Sequence, residues 1–238
     1  MIRKRELLYG DGSQENSLSP RALARRFMPQ PEKPKLDAQI YKLKDENDKT
    51  LLFESRFESG NLYLSQKVSD NEYNLLMQND VNTQGHTQWF FFQVRNTRAK
   101  NKVRFNILNY SKPDSLFNYG MKVSVYSEKK AQEKQEGWHK DGNEISYYQN
   151  GIRKDITYYS KSYFSLTFTY EFAYDNDIVY FAYSFPYTYS DLRNDIATIE
   201  CDAERSSFMT KKALCRTLSG ENCDLLTITS RENTENFA

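Results

Sequence analysis

Histidine is almost missing: His86 and His139 are the two in 238 residues, and each stands alone. No His-Glu-x-x-His or His-x-x-Glu spacing occurs, so no helix-borne zinc site is written into the chain. Cysteine is as scarce. Cys201, Cys215 and Cys223 all fall late, and an odd, clustered set argues against a disulfide framework and fits a reducing compartment. Their spacing matches no zinc pattern, so ordinary thiols are expected. There is no Gly-rich phosphate loop and no Gly-x-Ser-x-Gly elbow. No apolar run approaches the ~20 residues that a membrane helix needs. The basic start "MIRKRE" leads into no apolar segment of a secretory signal. Neither sign of charge dominates: 33 basic and 32 acidic residues leave +1, and neither nucleic acid nor a membrane is expected as partner.

Aromatic residues are abundant instead. There are 18 Tyr and 15 Phe, and large rings build a core from few residues, which offsets a hydrophobic share of only 38%. Mean hydropathy is -0.82, low enough to expect polar extensions around that core. Residues 1–50 read as a flexible polar lead-in: "YGDGSQENSLSP" is turn-rich, and Pro29, Pro31 and Pro34 favour extended backbone. "SPRALARRFM" there allows a short basic helix able to meet an acidic surface.

From residue 51 the period is two. In "YFSLTFTYEF", Phe164, Leu166, Phe168, Tyr170 and Phe172 point one way, and Ser165, Thr167, Thr169 and Glu171 the other. "KVRFNIL" puts Val103, Phe105 and Ile107 inside, and "MKVSVYS" does the same with Met121, Val123 and Val125. "QWFFFQV" and "IVYFAYSF" are apolar on both faces, which predicts central strands or strands covered on both sides. Turn signals separate these runs, and no helical period of useful length interrupts residues 51–185. The expected fold is all-β: an antiparallel β-sandwich over 51–187. Residues 188–206 then read as one connecting helix. Thr188 and Asp191 have capping-box spacing, and Leu192, Ile196, Ile199 and Ala203 share a face. "ALCRTL" and "CDLLTITS", joined by "SGEN", read as a strand pair within 207–238.

The residues offer little for chemistry. His139 is expected at a hairpin rim and His86 at a strand entry. Glu171, Asp175 and Asp177 sit at a turn with no sign of burial, so no perturbed carboxyl is expected there. Tyr147, Tyr148, Tyr158, Tyr159 and Tyr163 suggest an alternative, a stand-alone module with an aromatic platform for sugar or peptide.

Five stretches occur in an order that resembles a known family: "FESGNL" (57–62), "NTQGHTQWFFFQVRN" (82–96), "RFNILNYSKPDSLFNYGM" (104–121), "VYFAYSFPYTYSDL" (179–192) and "LCRTLSGENCDLLTIT" (214–229). Together they look like the cytosolic carboxypeptidases, zinc peptidases that remove glutamates from tubulin and other proteins. The resemblance implies an N-terminal β-sandwich domain, a connecting helix, and the truncated start of the peptidase domain as a two-strand remnant. "GMKVSVYS" departs from the family's proline-containing continuation, which bears on one strand edge. The family's zinc motif, His-Pro-Gly-Glu, would follow the strand resembling "LLTIT". "SRENTENFA" stands there instead, and no catalytic or metal residue of the family maps onto this sequence. The chain alone is expected to be inactive, with no cofactor of its own and zinc only in a full-length member. The implied partners are a peptidase domain and tubulin or microtubules, and the implied compartment is the cytoplasm, near microtubules or cilia. Phe185, Pro186, Tyr187, Thr188, Tyr189, Asp191 and Leu192, where the last sandwich strand hands over to the helix, are the expected inter-domain seam.

Overall fold

In the computed structural model, residues 41–83, 85–153 and 162–229 are described. The period-two runs become strands of two facing sheets. One sheet has the order β1-β4-β10-β6-β7, from Leu52–Glu54, Phe91–Arg95, Val179–Ala182, Val123–Ser127 and His139–Asp141. The other has the order β2-β3-β5-β9-β8, from Leu62–Ser69, Glu72–Met77, Lys102–Tyr110, Ser162–Glu171 and Asn143–Arg153. β11 (Met209–Arg216) and β12 (Asn222–Ile228) form a separate hairpin. The two doubly apolar runs are interior strands of the first sheet, as their pattern predicts.

The core is a layer of rings between the sheets. Phe92 and Phe181 from the first meet Phe105 and Phe168 from the second, all fully buried. Phe105 lies 5.2 Å from Phe181 and 5.3 Å from Phe168, centroid to centroid. The expected inward set of β9 is largely inside: Leu166, Phe168, Tyr170 and Phe172 are buried. Gly60 closes the turn after β1 where a Cβ would overlap the Ser55 carbonyl oxygen.

Four findings differ from the sequence reading. First, β3 and β5 pair in parallel, with Tyr73 opposite Phe105. Parallel neighbours need a long crossover; here it runs through β4 in the facing sheet, so no helical period announces it. Second, a helix interrupts 51–185: α1, Glu128–Lys134. It buries no residue and so carries no apolar stripe; Ser127 starts it by accepting from the Lys130 N–H at 3.0 Å. Third, the connecting segment is two helices, α2 (Tyr189–Cys201) and α3 (Ala203–Ser206). The Asp202 carboxylate accepts from the N–H groups of Glu204 and Arg205, each at 3.0 Å, and restarts the helix. Ile196 alone of the expected face is buried, and Ala203 is exposed.

Fourth, Asp177 is buried, at 2% exposure. Its carboxylate accepts from Ser127 Oγ at 2.5 Å, the Lys129 N–H at 3.0 Å and the Ile178 N–H at 2.8 Å. One carboxylate thus joins the end of β6, the start of α1 and the start of β10. Asp177→Ala should cost about 2–3 kcal/mol of unfolding free energy, because it strands buried donors. Asp177→Asn, keeping one acceptor oxygen, should lose less. Urea titration of the two variants checks this; equal losses would contradict the hydrogen-bond account.

Candidate functional site

β10 runs through the middle of its sheet and delivers the segment 183–192 to one corner. Tyr183 is still tied to the sandwich: its N–H donates to the Phe90 carbonyl at 3.0 Å, and its ring packs edge-on against Phe117. Pro186, which lacks an N–H, follows where strand pairing stops. Thr188 and Asp191 then close the expected capping box. The Asp191 N–H donates to Thr188 Oγ1 at 3.1 Å, and the Thr188 N–H donates to Asp191 Oδ2 at 2.8 Å. The Thr188 N–H, helped by the Thr188 hydroxyl at 2.8 Å, holds the Asp191 carboxyl below its ordinary range. Removing the box with Thr188→Ala should cost about 1 kcal/mol. Hydrogen exchange should show it as faster exchange in the first turn of α2, with β10 unchanged.

The expected seam residues therefore share one corner, and they are largely uncovered. Phe185 is 52% and Tyr187 61% exposed. The Tyr187 hydroxyl donates to Asp195 Oδ2 at 2.7 Å, and this bond raises the phenol's pKa. Tyr189 lies under the Arg193 guanidinium and donates to the Asn222 carbonyl at 3.4 Å. Leu192 is half-buried on α2. One partner was not legible in sequence: Glu58 accepts from the Ser190 N–H at 2.9 Å, which fastens the helix start to the turn after β1. That bond lowers the Glu58 carboxyl's pKa. The hairpin touches the same end of the sandwich, with Asn82 Nδ2 donating to the Leu218 carbonyl at 2.6 Å. A cleft of about 700 Å³ opens there, lined by Asn61, Asp80, Val81, Trp89, Tyr187 and Leu218.

Among the described residues, the two histidines stand apart from each other. His86 is exposed at the entry to β4. His139 is half-buried at the rim in β7, with Nδ1 3.1 Å from the Gly137 carbonyl oxygen and Nε2 4.0 Å from Asp141. Among the described residues, no group of three His, Cys, Asp or Glu side chains could hold a metal ion. The three cysteines are free thiols, and Cys215 lies opposite Cys223 in the β11–β12 register. No helix is long and apolar enough to cross a membrane among the described residues. Of the five tyrosines of the expected platform, the adjacent Tyr147 and Tyr148 are divided between two faces. Tyr147 is a core residue whose hydroxyl donates to the Lys112 carbonyl at 2.5 Å, whereas its neighbour Tyr148 points to the opposite face. Tyr158, Tyr159 and the basic "RALARRF" lie outside the described residues.

Comparison with known proteins adds the context for this corner. A family model described as the cytosolic carboxypeptidase N-terminal domain matches residues 53–184 and stops one residue before Phe185. Mouse cytosolic carboxypeptidase 3 is 46% identical over 186 residues, covering 78% of this chain and 18% of that protein. Human cytosolic carboxypeptidase 2 is 43% identical over 192 residues, covering 81% of this chain and 21% of that protein. The chain thus spans about a fifth of the length of these curated relatives. A crystal structure of a metallo-carboxypeptidase from Burkholderia cenocepacia shares the fold at a TM-score of 0.52 and 16% identity, over 79% of this chain and 42% of that one.

Proposed function

The chain belongs to the cytosolic carboxypeptidase family through its N-terminal domain, and from this we propose that it is the accessory sandwich of a metallocarboxypeptidase, built to carry a peptidase domain at the 185–192 corner. One observation carries the reading. The family domain ends at Ser184, and directly after it comes a capped helix pinned to the sandwich by Glu58. Four fifths of the relatives' length lies outside the matched region. The exposed Leu214, Leu218, Leu225 and Ile228 of the hairpin add support, since an isolated strand pair with apolar side chains in water lacks the layer that would cover it.

In this reading Phe185, Pro186, Tyr187, Thr188, Tyr189, Asp191 and Leu192 form the seam. They hold position and have no part in chemistry. On the family resemblance, zinc chemistry is proposed for the peptidase domain of the longer protein. Release of glutamates from tubulin, with the cytosol as compartment and microtubules as partner, is proposed for that longer protein on family resemblance.

The test uses the 238-residue chain alone and a chimera in which it replaces the matching region of mouse cytosolic carboxypeptidase 3. With zinc and a glutamate-tailed peptide, the chimera should release glutamate and the chain alone should not. Release by the chain alone, or a folded but inactive chimera, would overturn the reading. Tyr187→Ala should lower the chimera's unfolding free energy by about 1 kcal/mol with kcat unchanged; an unchanged thermal midpoint would remove Tyr187 from the seam.

A further inference from the structure

The two sheets present different outer faces. On the second sheet the outward side chains satisfy one another. Asn106 Nδ2 donates to Glu72 at 2.8 Å and to Asn74 at 3.1 Å, Thr167 donates to Asn106 at 2.9 Å, and Thr169 donates to Glu144 at 2.8 Å. That is a face made for water. The first sheet carries rings on both sides, with Gln93 and Ser124 buried among the outward positions. While Phe92, Val94, Val125 and Phe181 fill the core, the alternate positions of the same strands carry rings outward.

Those rings are continuous. Phe91 lies 4.8 Å from Phe57, 5.8 Å from Trp138 and 6.2 Å from Tyr180. Tyr126 lies 5.6 Å from Trp138 and 6.0 Å from Tyr180. Trp138 reaches Phe185 at 6.5 Å, so the ladder runs into the seam corner. Its polar atoms lie both within it, where Gln93 is buried beside Tyr180 on the two interior strands, and at its margins. The Tyr180 hydroxyl accepts from Gln93 and donates to Glu128, Arg56 lowers the Glu54 carboxyl's pKa to about 2 by hydrogen bonding, and Lys140 stands over Phe185. Aromatic rings with a few placed polar groups and charged side chains at the edge are the composition of a recognition surface.

We infer that this outer face is the main docking surface for the domain that follows in the same chain of the longer relatives. The inference rests on the accessory reading above. Three features select that occupant over a separate molecule. Phe185, the first residue past the family domain, is itself part of the ladder. Glu58, next to Phe57 in the ladder, holds the first turn of the outgoing helix. About four fifths of each relative's length lies outside the matched region.

Hydroxyl-radical footprinting of the 238-residue chain and of the chimera described above tests this without any substitution. Oxidation of Trp138 and Tyr126 should fall about tenfold in the chimera, since the centre of an interface excludes water. Tyr148 on the opposite sheet, 47% exposed, should react equally in both. Equal Trp138 oxidation in the two proteins would overturn the inference. So would Trp138 protection in the 238-residue chain accompanied by a dimer in sedimentation, which would make a second copy the occupant. Glutamate release from the same chimera separates the two ideas: an inactive chimera with Trp138 protected sinks the accessory reading and keeps the docking face, and an active one with Trp138 unprotected does the reverse.

Discussion

Phe105→Ala is expected to lower the unfolding free energy by about 3–5 kcal/mol, the range for deleting a buried aromatic ring. Phe105 has no exposed surface and stands where the layers meet. Its ring has Phe168 at 5.3 Å within its own sheet, Phe181 at 5.2 Å and Phe92 at 6.2 Å across the core, and Tyr73 at 6.3 Å on the parallel neighbour. These neighbours are rigid rings on paired strands, so the cavity cannot collapse. Phe105→Leu should cost less, because most of the volume survives. Tyr148→Ala, on the solvent face, should stay within about 0.5 kcal/mol. Since a domain is stable by only about 5–15 kcal/mol, Phe105→Ala should sit close to unfolding at 37 °C. The check is the denaturant midpoint at constant m-value; a loss under about 1 kcal/mol would mean that the core repacks and that the ring layer is not what joins the sheets.

The core was readable because it depends on local alternation. Phe105 with Ile107, and Leu166 with Phe168, announce their faces two residues apart, and burial follows. The helix start at Thr188 was readable for the same reason, since a capping box spans four residues. What escaped depends on partners far along the chain. Nothing near Tyr73 indicates that it will run parallel to Phe105. Nothing beside Asp177 reveals Ser127 and Lys129, fifty and forty-eight residues earlier. The corner at 185–192 was found from its pattern, but the ladder behind it was visible only as strands too apolar for a one-faced sheet. Which side of "QWFFFQV" meets the core and which faces outward is decided by the pairing of β4 between β1 and β10.

Raising the pH above 10 should unfold the chain cooperatively, through the tyrosines that the core uses as hydrophobes. Tyr73, Tyr110, Tyr147 and Tyr170 are all buried, and burial raises each phenol's pKa, that of Tyr147 to about 12. The unfolded chain ionises these groups near pH 10. The folded chain therefore holds protons that the unfolded chain releases. The sign follows: stability is fully present below pH 10 and is lost as pH climbs toward the folded values. Each such group costs at most about 1.4 kcal/mol per pH unit, so the four together remove no more than about 6 kcal/mol by pH 11. Absorbance at 295 nm and far-UV circular dichroism should show buried tyrosinate appearing together with loss of sheet. Tyr110 isolates the cause, because among the described residues its hydroxyl is the buried side-chain polar atom with no hydrogen-bond partner. Tyr110→Phe breaks no hydrogen bond and removes one of the groups. It should leave stability at pH 7 equal or higher and move the alkaline midpoint upward, with one proton fewer released on unfolding. An alkaline midpoint identical to that of the parent chain would show that buried phenols do not set this limit.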